Sequence, residues 1–183
     1  MTLADTSESA TPSPDEPPSI PGGLSPAPPL TIELSLQTDD ADPPLAGWLE
    51  GMLSQAAGIA GVSRGLLSLV IVGDEEMAQL HEQWKNVPGT TDVLTFDLAE
   101  PGAPADEPEG DIVVCIDEAR RVAKERGHSL RHEALLYAVH GLLHLLGEDD
   151  QDPASYQQMH QREDDILTRL GVGRVFDADT DTT

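Results

Sequence analysis

His140-Gly141-Leu142-Leu143-His144-Leu145-Leu146-Gly147-Glu148-Asp149-Asp150 sets two histidines four positions apart in an apolar run that ends in a glycine and a burst of acid. Residues four apart share one face of an α-helix, so both imidazoles can aim at a single point. Read backwards, the helix begins at Ser129, a capping residue, and its apolar positions Leu135, Leu136, Val139, Leu142, Leu143 and Leu146 surround it almost completely. A helix apolar on nearly all sides belongs at the centre of a fold. The remaining elements must therefore pack around it.

A single histidine on such a helix is ordinarily a satisfied core residue. Two at this spacing among leucines, where an unpaired imidazole is expensive, read better as metal ligands. Gly141 points the same way, because a mid-helix glycine costs about 1 kcal/mol relative to alanine and needs a reason such as a close approach. Gly147 turns the chain and offers Asp150 as a third ligand, giving three protein ligands and an open position. Asp149 and His160 are rival third ligands. The competing reading of Glu148, Asp149, Asp150 and Asp152 is a solvated acidic loop.

Outward from the helix, Leu30 to Leu36 alternates as a half-buried strand, and Pro43 and Pro44 introduce a helix carrying Leu45, Trp48, Leu49, Met52 and Leu53. Leu66 to Val72 reads as a strand, followed by a helix that Asp74 can cap. Val93 to Phe96 and Ile112 to Ile116 are two short β-rich runs separated by a Gly, Pro and acid-rich loop, either a hairpin with a long connection or strands split by a crossing loop. Asp117 then caps a helix that stops at Gly127, and a last helix runs from about Ala154 to Leu170. Strands mostly early and helices late predict an α+β domain, a small mixed sheet of about four strands packed with helices.

The segment 1–29 is Pro-rich, acidic and without a base, and 173–183 alternates acid with polar residues, so both are expected to be disordered tails around a domain at 30–172. With 34 acids against 10 bases the 183-residue chain carries a formal charge of -24, which weighs against non-specific nucleic-acid binding. The lone Cys115 makes no internal disulfide, and no apolar leader or membrane-length apolar run is visible, so a cytoplasmic protein is expected.

Three ordered motifs give a more specific reading. The stretch His140 to Asp149 resembles the signature of the YbeY family of metal-dependent endoribonucleases. Thr90-Thr91-Asp92-Val93-Leu94-Thr95-Phe96 and Gly110-Asp111-Ile112-Val113-Val114-Cys115 are similar to the family's Thr-Asp-Val-Leu-Ser-Phe and Gly-Asp-Ile-Val-Ile-Cys strands. Order and spacing match over roughly residues 30 to 170. The resemblance implies a zincin-like fold whose central buried helix carries the ligands, one Zn2+ per chain, and cleavage of single-stranded RNA. It further implies a part in 16S rRNA 3′-end maturation and ribosome quality control, with the ribosome or ribosomal proteins as partners.

The chain departs from that pattern where the family has its third histidine ligand, since Asp150 stands there. An aspartate oxygen binds zinc at nearly the imidazole distance, so His140, His144 and Asp150 remain a workable set, although a carboxylate could favour a harder divalent ion such as manganese. Lys85 occupies the place of the family's arginine, after the aromatic Trp84. It keeps the charge that the resemblance assigns to the RNA phosphate and loses the bidentate grip. Thr95 keeps the hydroxyl of the family's serine.

Five of the ten bases fall between Arg120 and Arg131, so Arg120, Arg121 and Lys124 are candidate RNA contacts, or else a solvated helix face. Two rival functions remain. A metallopeptidase could use the same helix, but Gly141 stands where such an enzyme places its general-base glutamate. An assembly factor that binds rRNA or a ribosomal protein around a structural or vestigial metal site is favoured by Asp150. Cys115, a lone thiol in an apolar strand, reads as packing rather than as a nucleophile.

Overall fold

A computed structural model describes residues 29–38, 43–173 and 175. The expected N-terminal tail, apart from Pro29, and most of the C-terminal one lie outside the described residues. In chain order the elements are β1 (Thr31–Leu36), α1 (Pro43–Ala60), β2 (Leu66–Val72), α2 (Asp74–Lys85), β3 (Val93–Asp97), β4 (Glu109–Cys115), α3 (Ile116–Arg126), α4 (Leu130–Leu145) and α5 (Pro153–Arg169). The strands form one four-stranded mixed sheet of order β1-β2-β4-β3. The α+β reading holds, with one difference: strand and helix alternate through α2 rather than segregate, which is why β1, β2 and β4 run parallel. Of the two arrangements open for the later strands, the hairpin is found, β3 lying antiparallel to β4 with Thr95 opposite Ile112.

Alternation along the inner strands splits the core between the two faces of the sheet. Leu67, Leu69 and Ile71 of β2 and Ile112 and Val114 of β4 face α1, α4 and α5 in the main cluster. Val72, Val113 and Cys115 face the other way, against Met77 of α2. With both faces covered, the inner strand β2 reads as a nearly continuous apolar run, whereas the edge strand β1 alternates. Helix α4 lies in the main cluster with ten residues buried, among them Leu135, Leu142 and Leu143 at 0% exposure. Truncating any of these three to alanine costs about 2–5 kcal/mol in comparable cores.

Gly141 is what lets α4 lie so close to the sheet. A Cβ there would sit 2.7 Å from Ile112 Cγ2 and 3.1 Å from Thr95 Cγ2. The close approach inferred for this glycine is thus made by side chains of β3 and β4.

Two caps differ from the sequence reading for one shared reason. The N-cap of α2 is Gly73 rather than Asp74, and that of α3 is Cys115 rather than Asp117, so Ile116 begins a helix instead of ending a strand. Asp117 Oδ2 accepts the Asp74 amide at 3.0 Å, so α2 receives its capping oxygen from α3. Local sequence shows only that an acid is near a helix start, whereas tertiary packing decides which start it serves. Ser129 caps α4 as expected, accepting from the His132 amide.

The exit from α4 sets up the site. Gly147 adopts φ +86°, and paired bonds run from the Gly147 amide to the His144 carbonyl at 2.9 Å and from the Glu148 amide to the Leu143 carbonyl at 3.0 Å. This Schellman motif reverses the chain. It brings Glu148, Asp149 and Asp150 back beside the histidines before Asp152 caps α5.

Candidate metal centre

His140 and His144 lie one turn apart at the end of α4, and the chain reversal returns Asp150 to them. The two Nε2 atoms are 3.0 Å apart. Asp150 places Oδ2 3.6 Å from His140 Nε2 and Oδ1 4.0 Å from His144 Nε2. One ligand atom from each of the three can be chosen so that all lie within 4.8 Å of one another. A tetrahedral ion bonded at ~2.0–2.1 Å holds its ligands ~3.4 Å apart, so this donor set fits a divalent metal.

Hydrogen bonds on the far side of each ring explain why the lone pairs converge. His140 Nδ1 is 2.5 Å from Glu163 Oε1, and His144 Nδ1 is 3.0 Å from the Glu148 carbonyl. Both partners are acceptors, so each neutral ring carries its proton on Nδ1 and turns a bare Nε2 toward the other and toward a carboxylate. Three acceptors that meet in this way suit a shared positive charge. Burial works to lower the pKa of His140, but the Glu163 hydrogen bond and charge, aided by Asp92 and Asp150, overcome it and leave the net shift upward. The site is built to hold positive charge, as a metal or as a proton.

Glu163 is the residue that sequence reasoning missed. It is fully buried on α5, and its second oxygen, Oε2, lies 2.5 Å from His160 Nδ1. The signal was present: Glu163 is four residues after Met159 and three before Ile166, on the apolar stripe of an otherwise charged helix. His160, one rival third ligand, is engaged with Glu163 and stacks on His140 with ring centroids 6.2 Å apart. Asp149, the other rival, uses Oδ1 to accept the amides of Asp150 and Gln151. Arg162 of α5 bonds the Glu148 carboxylate and so pins the returning loop from outside.

Two clefts meet at the centre and share Asp92, His140 and Asp150. The smaller, about 420 Å³, is lined by Lys85, Thr95, His144 and Asp149. Lys85 thus stands at the site, and it forms no ion pair among the described residues. The larger, about 640 Å³, has Arg126, Glu133, Tyr137, Tyr156 and His160 in its walls. Asp92 Oδ1 accepts the Thr91 hydroxyl at 2.9 Å and the Val93 amide at 2.8 Å, ordering the entry to β3.

Arg120, Arg121 and Lys124 line neither cleft. Arg120 bonds Asp117, and Arg121 forks onto Asp74 with contacts of 2.5 and 2.8 Å while also holding Glu118. The pairing with Arg121 holds the Asp74 carboxyl below its ordinary range. Lys124 forms no ion pair among the described residues. Of the basic run on α3, Arg126 alone reaches the larger cleft. Cys115 is buried, and burial pushes its thiol pKa up, which suits packing rather than attack.

Comparison with known proteins gives the family. The family model described as Endoribonuclease YbeY matches residues 33–171. A protein of Thermobifida fusca described as endoribonuclease YbeY is 43% identical over 107 residues, which are 55% of this chain and 69% of that one. One from Rhodococcus erythropolis with the same description is 44% identical over 109 residues, 55% of this chain and 61% of its own. These alignments thus span about two thirds of the curated relatives. The solution structure of TM1509 from Thermotoga maritima matches with a TM-score of 0.54 at 22% identity, covering 84% of this chain and all of that one, a likeness of fold. With its central helix, converging donors and matched span of 33–171, the chain belongs to the YbeY family.

Proposed function

We propose that residues 30–172 form an endoribonuclease domain that cuts single-stranded RNA with one divalent ion, zinc in the first instance, on His140, His144 and Asp150. The observation that carries this is the convergence of two Nε2 lone pairs and a carboxylate, each ring fixed from behind by an acceptor. A bound divalent ion would supply Lewis acidity toward a phosphoryl oxygen and lower the pKa of an attacking hydroxyl. Relatives described as endoribonucleases make RNA the substrate of choice, and the motif resemblance proposes 16S rRNA 3′-end maturation and ribosome quality control in the cytoplasm as the setting. No helix among the described residues is long and apolar enough to cross a membrane.

Each remaining part has a physical task. Lys85 neutralises a phosphate oxygen in the smaller cleft as a point charge, without the planar fork of an arginine. Glu163 orients His140, and the Glu148 carbonyl orients His144. The face of α3 with Arg120, Arg121 and Lys124 is an outlying contact for RNA backbone beyond the clefts, with Lys124 its uncommitted charge. Ribosomal proteins would be met outside these clefts.

The second reading is an assembly factor that binds rRNA without cutting it, and Asp150 in a family that places histidine there favours it. A peptidase is disfavoured because position 141 has no room for a general base: its Cβ would collide with Ile112. The deciding experiment incubates metal-loaded protein with a single-stranded RNA and with casein. The nuclease reading expects RNA fragments that vanish with His140→Ala; RNA binding without cutting favours the assembly factor, and casein hydrolysis the peptidase.

A further inference from the structure

We infer that the exposed Trp84, braced by Phe96, is a stacking platform for an unpaired base of the RNA strand whose phosphate lies in the Lys85 cleft. The inference rests on the RNA reading above and adds a binding residue to it. Met77 and Leu80 of α2 pack on the sheet, and Trp84 continues their stripe past the end of that small cluster. It remains 59% exposed, although an indole buries a large apolar area when given a partner.

The ring is nevertheless held. It meets Phe96 edge to face, with centroids 5.4 Å apart and planes at 68°, a geometry that fixes an aromatic while leaving most of it open. Trp84 precedes Lys85 in α2, and Phe96 follows Thr95 in β3. Lys85 and Thr95 both line the cleft that contains His140, His144 and Asp150. Phe96 and Thr95 point to opposite faces of β3, so the platform lies on the α2 face of the sheet, beside the end of α2 whose Lys85 lines the cleft.

Lys85 in the cleft and the open indole beside it point to the occupant, against the overall charge. A chain of formal charge -24 repels a polyanion at long range, and the cleft itself contains Asp92, Asp149 and Asp150. Short-range stacking escapes that repulsion, because every base has a π-face whatever the field around it. An uncommitted cation next to an open aromatic is the pairing that takes one phosphate and one base of a single strand. Duplex RNA keeps its bases stacked on each other, so the platform also favours single strands.

The test uses the full chain treated with a chelator, so that binding is read without cutting, and a short single-stranded oligoribonucleotide. In a Trp48→Phe background, Trp84 is the remaining tryptophan, and its fluorescence should be quenched on titration. Trp84→Ala should weaken binding about tenfold, the loss of one stacked base. Trp84→Phe should keep most of the affinity, whereas Trp84→Leu, apolar without a π-face, should behave like alanine. Unchanged RNA affinity in Trp84→Ala, or full affinity in Trp84→Leu, overturns the platform; the latter marks an apolar docking surface. Metal-loaded protein that binds through Trp84 but does not cut keeps the platform and overturns the nuclease reading. Absence of RNA binding by the unsubstituted chain overturns both.

Discussion

Glu133 and Glu163 are the two buried charged residues among those described, at 1% and 0% exposure, and each stands between two basic groups. Glu163 reaches His140 and His160 at 2.5 Å, one through each oxygen. Glu133 has looser partners: His128 Nε2 at 2.9 Å, off the line of a hydrogen bond, and Arg126 at 3.9 Å. Burial is the main influence on Glu133 and raises its pKa, against the pull of Tyr137, His128 and Arg126. The contrast teaches what a buried carboxylate is for. One is locked to a ring whose other nitrogen faces the metal position, and the other lines a cleft wall at a cost in desolvation.

The largest expected effect lies at the ligands themselves. His144→Ala should reduce bound zinc from about one equivalent to background and abolish RNA cleavage, as read by metal analysis and fragment formation. Next comes Glu163→Gln, which should weaken zinc binding about 10–100-fold by competition with a chromophoric chelator. Glu133→Gln should leave zinc affinity unchanged. Equal losses in the two variants would erase the distinction between these carboxylates.

Glu133 should instead reveal itself through pH. Its folded-state pKa is raised, so its stabilising contribution is full below the ordinary carboxylate range and is lost as pH rises through the folded value. The stability of the unsubstituted chain minus that of Glu133→Gln should therefore fall from acid toward neutral pH in denaturant titrations. A difference that grows with pH contradicts the assignment. The smallest effect is expected on α3, where Lys124→Ala should weaken RNA binding mildly and lower the salt slope by about 1.

Much of this architecture was legible because the signals are local. The apolar wrap of α4, the i, i+4 histidines and the Gly147 turn each depend on neighbours in sequence, and together they predicted the central helix and the return of Asp150. What was not legible depends on distant partners. Asp117 serves the start of α2 rather than its own helix, Arg121 is taken by Asp74, and Glu163 hides on a stripe whose neighbours are charged. The role of Gly141 was half visible, since its helix cost shows in sequence while Ile112, the neighbour it makes room for, shows in the fold.

The central claim is that His140, His144 and Asp150 hold one divalent ion. Diffraction from zinc-loaded crystals at the zinc absorption edge tests it most directly. One anomalous peak is expected ~2.0–2.2 Å from Nε2 of both histidines and from an Asp150 oxygen, with Glu163 still on His140 Nδ1. A peak bonded to His160 or Asp149 in place of Asp150, or no peak at the histidine pair, would contradict it.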